Sequence, residues 1–442
     1  MSTVTTPVRF TRELREICGA GYVIEDPDRL ERAQILGVTP AVAVEPASTE
    51  EVAAVLSFAN VQGLSVVPAG GFTQQQKGNV PSHIDVLLYT SRLTGVEHYD
   101  PGDLTIGIGA GCTIAQLSSK VGADGLLFAG DAPLPERATV GGLLATGMTG
   151  PLRHGYGGLR DYCIGIKFVT GDGRKGKGGG RVVKNVAGFD MMKLLIGSWG
   201  TLAIITGAGF KLFPAPRQTR TFVAGFATAA EAIQYRNAVL RSPLSPICLE
   251  LVSPQAGALL PGGGRAGKAW SVYLRAAGSE AVLGRYRTEL GAAIALEIDG
   301  HNEHDVWRAM EDFSNTLPEH YPDSVLLSLS LPLADVQPVL NELESVAASR
   351  GLTLATIGTV GVGRLLAGLW PATGSKANLV AAVSAFRDRL PRDASATVLH
   401  CPDEVRTQAA AWEKTPTHFD SMRAIKRAMD PKDILNCGRF LF

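Results

Sequence analysis

The sequence has no surplus of charge of either sign. Lys+Arg and Asp+Glu each number 42 among 442 residues, so the formal net charge at pH 7 is zero. A general binder of nucleic acids or anionic membranes would carry a basic excess, so neither partner is expected. The sequence also has no apolar run approaching the roughly 18 residues of a membrane helix, and no N-terminal apolar segment typical of a signal peptide. These absences predict no direct membrane insertion and a cytoplasmic location.

Cysteine is scarce and unpaired in sequence. None of the six cysteines belongs to a C-x-x-C motif: Cys18, Cys112, Cys163, Cys248, Cys401 and Cys437. This pattern argues against a zinc ribbon, an iron–sulfur site in this chain and a disulfide scaffold. We expect buried free thiols and no metal site.

Glycine, in contrast, is abundant and unevenly distributed. Most of the 51 glycines lie between about residue 63 and residue 210, where they indicate tight turns and close approach of backbone to a ligand. Pro214 and Pro216 end this part of the chain. We therefore predict a first domain over 1–216, an α+β domain over 217–425 and a closing segment over 426–442.

Local patterns predict mixed secondary structure throughout. The segment STEEVAAVLSFANVQG has a Ser/Thr cap, a Glu three residues later and a closing Gly63, which together indicate a helix. Apolar runs such as VLLYT, CIGIKFVT and LAIITGAGFKLFP predict strands. The later chain alternates helical stretches with strands such as SVLLSLSLP, and its final helix is predicted to stop at Asp430-Pro431.

The stretch GDGRKGKGGGRVVKN, at 171–185, resembles a phosphate-binding P-loop but lacks two of its requirements. Gly178 stands where Ser or Thr would bind Mg²⁺, and no helix would start in three glycines followed by valines. Gly171-Asp172-Gly173 after a strand instead predicts a hairpin with solvated lysines. Similarly, Gly109-Ala110-Gly111 lacks the third glycine of a dinucleotide fingerprint.

Two other glycine-rich loops form a stronger candidate site. In VVPAGGFTQQQKGNVP, residues 66–81, consecutive glycines after a strand would expose several backbone N–H groups to one anion. The second loop, ATVGGLLATGMTGPLRHGYGGLRD, covers 138–161. Two such loops suit a long diphosphate cofactor better than a mononucleotide.

These loops resemble the FAD-binding domain of the vanillyl-alcohol-oxidase/PCMH flavoprotein superfamily. Further similarity lies in VKNVAGFD, in GSWGTLAIIT and in the tail DPKDILNCGRF. Within the superfamily, the sequence is similar to the E-type FAD-binding subunit of bacterial glycolate oxidase. The resemblance is strong over about 35–216, returns over the last 20 residues and is weak between them.

The resemblance implies an α+β fold, with a PCMH-type FAD-binding domain of two α/β subdomains and an α+β cap domain. It also implies FAD as the cofactor of an FAD-dependent oxidoreductase. The residues it assigns to FAD are Pro68, Ala69, Gly70, Gly71, Phe72, Thr73, Gln74, Gln75, Pro133, Thr139, Gly141, Gly142, Thr146, Gly147, Gly150, Tyr156, Gly157, Arg160, Asp161, Gly200, Thr201, Ile204, Ile205, Asn436 and Arg439.

The chain departs from the family pattern in its first loop and in its cap. Phe72 stands where members usually have a third glycine, and the first loop has no His or Cys for a covalent flavin link, so non-covalent binding is expected. Catalytic 2-hydroxyacid dehydrogenases of the family carry H-x-G-D-G-N-x-H in the cap. Here GTVGVGRLLAGL, 358–369, has Thr359 and Val362 instead of the first His and the Asp. Neither can ligate a metal or take a hydroxyl proton as those groups would.

Three functional hypotheses remain open at this point. The preferred one is an FAD-binding subunit that supports electron transfer beside a catalytic FAD subunit and an iron–sulfur subunit, with a small 2-hydroxy acid as the substrate of the complex. A stand-alone oxidoreductase could use Arg364, His154 or Tyr156. A non-catalytic assembly subunit is the third. No catalytic residue is assigned, while His301, His304 and Cys437 are expected to be passive.

Overall fold

Two sheets of different construction form the first half of the computed structural model, which describes residues 10–180, 189–262, 270–372, 376–412 and 418–441. The first sheet has the order β1-β2-β4-β3, and its last three strands run parallel. Its elements are α1 Thr11–Cys18, β1 Val23–Ile24, α2 Pro27–Arg32, β2 Val42–Val44, α3 Thr49–Gln62, β3 Val66–Ala69 and β4 Val86–Tyr89. The α3 helix begins at the predicted cap, where the Ser48 hydroxyl accepts from the Glu51 amide, and it ends at left-handed Gly63.

The second sheet is antiparallel, with the order β5-β6-β10-β8-β9. Its strands are β5 Val96–Asp100, β6 Thr105–Gly109, β8 Cys163–Thr170, β9 Lys175–Gly179 and β10 Ala203–Lys211, while β7 Leu126–Leu127 pairs with β11 Phe213–Pro214. The helices of this region are α4 Ile114–Gly122, α5 Val140–Thr146, α6 Arg153–Tyr156, α7 Leu159–Tyr162 and α8 Met191–Leu195. These helices and the sheet share one apolar core.

The predicted hairpin at 171–173 is confirmed. The Gly173 amide donates to the Thr170 carbonyl at 2.9 Å, and β8 then pairs with β9 at the edge of the sheet. Arg174, Lys175 and Lys177 are exposed on that edge, so the lysine run is solvated. Residues 181–188, which hold most of VKNVAGFD, lie outside the described residues.

An eight-stranded antiparallel sheet forms the cap, with the order β15-β12-β14-β13-β17-β18-β16-β19. Its strands are β12 Thr219–Phe226, β13 Cys248–Val252, β14 Trp270–Ala277, β15 Ile294–Ile298, β16 Val325–Ser330, β17 Leu352–Thr359, β18 Arg364–Pro371 and β19 Ser395–His400. The cap helices are α9 Ala229–Arg241, α10 Pro254–Gly257, α11 Glu280–Leu290, α12 Gly300–His320, α13 Val336–Ser349, α14 Ala377–Asp388 and α15 Asp403–Arg406.

The two faces of the cap sheet have different environments. In β13, Leu249 and Leu251 point into the larger core beneath α9, α13 and α14, whereas Cys248 and Val252 point towards α12. Leu152 of the first half packs in this second core as well. This face of the cap therefore meets the first half of the chain.

The closing segment returns to the first sheet. Helix α16, Phe419–Met429, stops before Pro431 as predicted, and Leu435 then bridges to Val66 in parallel. The amide of Val66 donates to the Ile434 carbonyl at 2.7 Å, and the amide of Asn436 donates to the Val66 carbonyl at 2.9 Å. The tail thus lies beside β3, directly before the first glycine-rich loop.

A buried ion pair anchors this return. The Lys426 ammonium lies 2.6 Å from the Asp430 carboxylate, and the two residues are only 4% and 1% exposed. Lys426 also donates to the carbonyls of Thr201 and Leu435, while Asp430 accepts from the amides of Ile434 and Leu435. One ion pair therefore joins α16, the tail and the second sheet.

We expect Lys426→Met to lower the free energy of unfolding by about 3–5 kcal/mol, because it leaves the Asp430 carboxylate buried without its cation. Chemical denaturation monitored by circular dichroism measures the change. Lys426→Met/Asp430→Asn should be less destabilised than the single variant, since no uncompensated charge remains. Lys175→Ala, which breaks an exposed pair with Glu50, is the matched control and should unfold like the wild type. A single variant as stable as this control would contradict the prediction.

Candidate functional site

A cleft of about 710 Å³ opens where the first loop, the second sheet and the tail meet. The end of β3 and the following loop form one wall, α5 and β10 form another, and the tail closes one end. Of the residues that the sequence assigned to the cofactor, those that line this cleft are Pro68, Ala69, Gly70, Gly71, Phe72, Thr73, Gln74, Gln75, Thr139, Gly141, Gly142, Thr146, Gly200, Ile204, Ile205, Asn436 and Arg439.

The first loop presents a row of available backbone donors. Within the described residues, no backbone N–H group of 70–76 donates a hydrogen bond to a protein acceptor. The side-chain oxygens Gln74 Oε1 and Asn436 Oδ1 are also buried without a partner. Because buried polar groups are normally satisfied, these groups indicate that a polar ligand completes the cleft.

Two glycines allow the loop to lie close to the opposite wall. A Cβ on Gly70 would collide with the Thr139 hydroxyl, and a Cβ on Gly71 would collide with the Arg137 carbonyl oxygen. Thr139 is fixed in turn, since its hydroxyl accepts from the Gly142 amide and caps α5. The narrow, amide-lined space fits a diphosphate group, so the residues present are suited to FAD.

Phe72 has a left-handed backbone conformation of the kind that glycine adopts most readily. Its φ is 61°, a left-handed value that costs a non-glycine residue roughly 1–2 kcal/mol. Its ring packs 5.8 Å from that of Tyr89, centroid to centroid. Phe72 thus adopts a left-handed backbone conformation at a position where family members usually have glycine.

Arg439 stabilises the first loop through hydrogen bonds to its carbonyl groups. Its side chain is only 1% exposed, and its guanidinium donates to the carbonyls of Asn79 and Gln75, each at 3.0 Å. The side-chain amide of Gln75 donates in turn to the Pro68 carbonyl at 2.7 Å. Burial lowers the Arg439 pKa to about 10, which leaves the side chain a cation at neutral pH.

The other predicted residues line one of two neighbouring cavities or none. Gly147, Arg160 and Asp161 line a second cavity of about 1210 Å³, and Pro133 and Gly150 line a third of about 730 Å³. Within the described part of the chain, three residues line none of these cavities: Tyr156, Gly157 and Thr201.

Local packing explains why these three are turned away. The Tyr156 ring lies 4.9 Å from that of Phe213, and the Thr201 hydroxyl donates to the Ser198 carbonyl at 2.7 Å. Gly157, at φ 82°, makes the turn after α6, where a Cβ would meet the Asp161 side chain. Their expected contacts with the cofactor are not supported by this arrangement.

Shared residues show that the three cavities are neighbours. Thr146 and Trp199 line both the first and the second, while Thr149 and Arg364 line both the second and the third. The amide-lined cleft and the cavity beneath the cap are therefore separated by one intervening cavity that borders both.

The third cavity carries an unusual concentration of carboxyl groups. Asp131 comes from the first half of the chain, Glu250 from β13 and Glu311 from α12. Burial raises the pKa of each carboxyl, to about 8 for Glu250. Nevertheless, no group of three or more His, Cys, Asp or Glu in the described residues is arranged to hold a metal ion.

Arg364 is the cation of the same cavity. It begins β18, and within the described residues its guanidinium makes no hydrogen bond or ion pair. Burial and the nearby Arg153 lower its pKa to about 10, so it stays charged at neutral pH. An unpaired guanidinium beside a cavity is suited to bind a carboxylate through two parallel hydrogen bonds.

Sequence reasoning missed several lining residues. Trp199 and Thr90 complete the first cleft together with Ala145 and Ala203. Glu250 was missed because ICLELV has the composition of an ordinary buried strand. The one available signal was a carboxyl inside that apolar run, since Glu is almost never fully buried without a partner.

The weaker candidates have structural surroundings. His301 and His304 are exposed on α12, as expected. Burial raises the Cys437 pKa to about 11, and its thiol donates to the Asp433 carbonyl, which agrees with a passive thiol. His154 lies against Gly361 of the β17–β18 turn, and burial lowers its pKa below the ordinary value.

Comparison with known proteins identifies two modules in the chain. A model of a FAD binding domain matches residues 40–175, and a model of the C-terminal domain of FAD linked oxidases matches 405–440. D-lactate dehydrogenase from Archaeoglobus fulgidus is 37% identical over 215 residues, 49% of this chain and 48% of its own length. The chain thus spans about half the length of that relative.

Other relatives differ in how much of the chain they match. Glycolate oxidase subunit GlcD of Bacillus subtilis is 23% identical over 416 residues, 90% of this chain and 88% of that protein. Glycolate oxidase subunit GlcE of Escherichia coli is 36% identical, but only over 124 residues, 28% of this chain and 35% of that protein. The particular similarity to GlcE, the E-type subunit, is thus confined to a short part.

Structural comparison agrees with the expected fold. The structure of p-cresol methylhydroxylase with bound substrate superposes with a TM-score of 0.74, at 17% identity, over 97% of this chain and 95% of its own. No helix in the described residues is long and apolar enough to cross a bilayer. The chain thus has the α+β fold of p-cresol methylhydroxylase, and two of its segments are similar to a FAD binding domain and to the C-terminal domain of FAD linked oxidases.

Proposed function

We propose that this chain oxidises a small 2-hydroxy acid with non-covalently bound FAD. The observation that carries the proposal is the Arg364 guanidinium in the third cavity, which has no partner among the described residues and also borders the second cavity, the neighbour of the amide-lined cleft. The relatives named as D-lactate dehydrogenase and glycolate oxidase subunits support this substrate class.

The first cleft would hold the diphosphate of FAD. The free amides of 70–75 are the expected donors, with Gln74 and Asn436 offering their unpartnered side-chain oxygens to cofactor donors. When bound, the flavin supplies an acceptor for a hydride equivalent, and the protein supplies binding and orientation. Because the first loop contains neither His nor Cys, the proposal specifies no covalent link there.

Arg364 would orient the substrate by its carboxylate. A planar guanidinium can bind both carboxylate oxygens at once, which fixes the direction of the adjacent carbon and its hydroxyl. The cap covers this cavity with β17, β18 and α12, and it thereby limits the access of water to the bound acid. The reacting carbon would then be held beside the carboxyl cluster.

A second candidate is a flavin-binding subunit of a glycolate-oxidase-like complex, beside a catalytic FAD subunit and an iron–sulfur subunit. It is favoured by the similarity to GlcE and by Thr359 and Val362 in the cap loop. Anaerobic mixing of the purified holoprotein with glycolate, D-lactate or D-2-hydroxyglutarate separates the candidates. Bleaching of the flavin absorbance supports the first, and a flavin that stays oxidised with all three supports the second.

Arg364→Ala should lower kcat/KM for the reactive 2-hydroxy acid by about 30-fold or more, because losing a buried charge pair costs about 2–5 kcal/mol. Arg364→Lys should be intermediate, since it keeps the charge but loses the fork geometry. FAD content and the melting temperature should stay near those of wild type. Exposed Arg285→Ala serves as the matched control. Equal losses in Arg364→Ala and this control would refute the carboxylate role.

Gly71→Ala should weaken FAD binding at least about fivefold, because overpacking against the Arg137 carbonyl costs about 1–3 kcal/mol. Titration of the apoprotein with FAD, followed by flavin fluorescence, measures this affinity. Lys177→Ala, on the solvated hairpin, should bind FAD like wild type. A substantial loss of flavin in Lys177→Ala would reinstate the hairpin as a phosphate-binding element.

A further inference from the structure

We propose that Glu250 is the catalytic acid–base of the third cavity and takes the hydroxyl proton of the acid that Arg364 binds. The inference rests on the proposed function for its substrate, and it assigns a proton acceptor that the cap loop itself lacks. Three observations on Glu250 carry the inference: it is buried, one of its carboxyl oxygens has no partner among the described residues, and it lies opposite Thr359 in the β13–β17 pair.

Glu250 is buried with one oxygen unpartnered. The residue is 2% exposed and lines the cavity, and its Oε1 makes no hydrogen bond to any residue that the structure describes. The register of the β13–β17 pair sets Glu250 opposite Thr359, whose side chain lowers the Glu250 pKa in part. A buried carboxyl oxygen without a partner is costly, and here it belongs to a residue that borders an open cavity.

The other two carboxyl groups of this cavity already accept hydrogen bonds from protein donors. An Asp131 oxygen accepts from the Leu152 amide at 2.6 Å, which holds the loop before α6. Glu311 accepts from the Arg308 guanidinium at 3.0 Å. Glu250 has no such cation or amide, so it is the carboxyl best placed to exchange a proton with a ligand.

Thr359 links this assignment to the altered cap loop. It stands on β17 at the position where the family resemblance places a histidine, and the sheet register sets it directly opposite Glu250. A carboxyl on the adjacent strand therefore borders the same cavity as the missing group would. Thr359 therefore lies beside the carboxyl and lowers its pKa in part.

The surroundings of Glu250 bring its pKa close to neutral pH. Burial raises its pKa to about 8, while the Thr359 hydrogen bond lowers it in part. It is thus largely protonated at neutral pH and becomes a carboxylate as pH rises through about 8. The ionisable groups around it, on its own strand and on neighbouring elements, are Cys248, Tyr273, Arg275, Asp131, Arg153, His154, Arg308, Glu311 and Arg364.

The proposed step balances as follows. In those complexes in which Glu250 is ionised, its carboxylate would accept the hydroxyl proton, the O–H bonding electrons would form the carbonyl, and the α-hydrogen would leave with its bonding pair as a hydride. Bound FAD would supply the acceptor for those two electrons. The product is a 2-oxo acid bound to Arg364 beside a protonated Glu250.

Proton uptake on binding of an unreactive anion tests the assignment without turnover. Oxalate and pyruvate are titrated into the oxidised holoprotein by calorimetry, in buffers of different ionisation enthalpy, between pH 6 and 9. An anion beside Glu250 raises its pKa further, so we expect little uptake at pH 6 and about one proton per bound anion near pH 9. The affinity should fall accordingly as pH rises through about 8.

Two variants at the site and two controls sharpen the test. Glu250→Gln should bind the anions with clearly less proton uptake than wild type, and it should lower kcat/KM about 10²- to 10⁴-fold. Thr359→Val should move the midpoint of uptake to higher pH and retain activity there, an effect that simple loss of packing would not give. Glu311→Gln should retain uptake, as should Glu319→Gln on the exposed end of α12.

Uptake that persists undiminished in Glu250→Gln, or anions that fail to bind the wild type, would overturn the inference. The two proposals fail separately. If 2-hydroxy acids leave the flavin oxidised while Glu250-dependent uptake persists, the substrate is wrong but the acid–base assignment stands. If they reduce the flavin as fast in Glu250→Gln as in wild type, the substrate stands and the role of Glu250 falls.

Discussion

The buried guanidinium of Arg439 is the interaction on which the cofactor cleft depends. The loop after β3 has its amides free, so its own backbone hydrogen bonds cannot hold its shape. Arg439 supplies that support from outside, through the carbonyls of Asn79 and Gln75. The Lys426–Asp430 pair fixes the tail that carries Arg439, and the bridge from Leu435 to Val66 sets its register against the sheet.

This arrangement separates two requirements that compete in any anion-binding loop. Free donors are needed for the ligand, yet a loop without internal bonds loses conformational entropy when it is ordered. Here carbonyl groups of β3 and of the loop accept hydrogen bonds from the side chains of Gln75 and Arg439. The backbone amide groups of the loop remain available for a ligand. The strained φ of Phe72 is a further cost of the same design, because the backbone must turn at a point without glycine.

Local signals predicted much of the fold, whereas the site needed long-range information. Some features depend on contacts between residues only a few positions apart, so the sequence alone predicts them: the Ser48 cap, the end of α3 at Gly63 and the 171–173 hairpin. The glycine loops were recognisable for the same reason. Tyr156 could not be judged, because its orientation depends on Phe213, which follows 57 positions later in the chain. Glu250 could not be placed either, because only the β13–β17 pairing sets it opposite Thr359.

The position of Arg439 in the chain also has a consequence for biosynthesis. The glycine loop leaves the ribosome early, but the residue that supports it follows only after the whole cap has been made. The cofactor site is therefore incomplete during most of translation, and FAD finds its finished site only once residue 439 has emerged and folded back. Holoprotein assembly is thus coupled to completion of the cap, so that a chain arrested within the cap lacks this support for its cofactor loop.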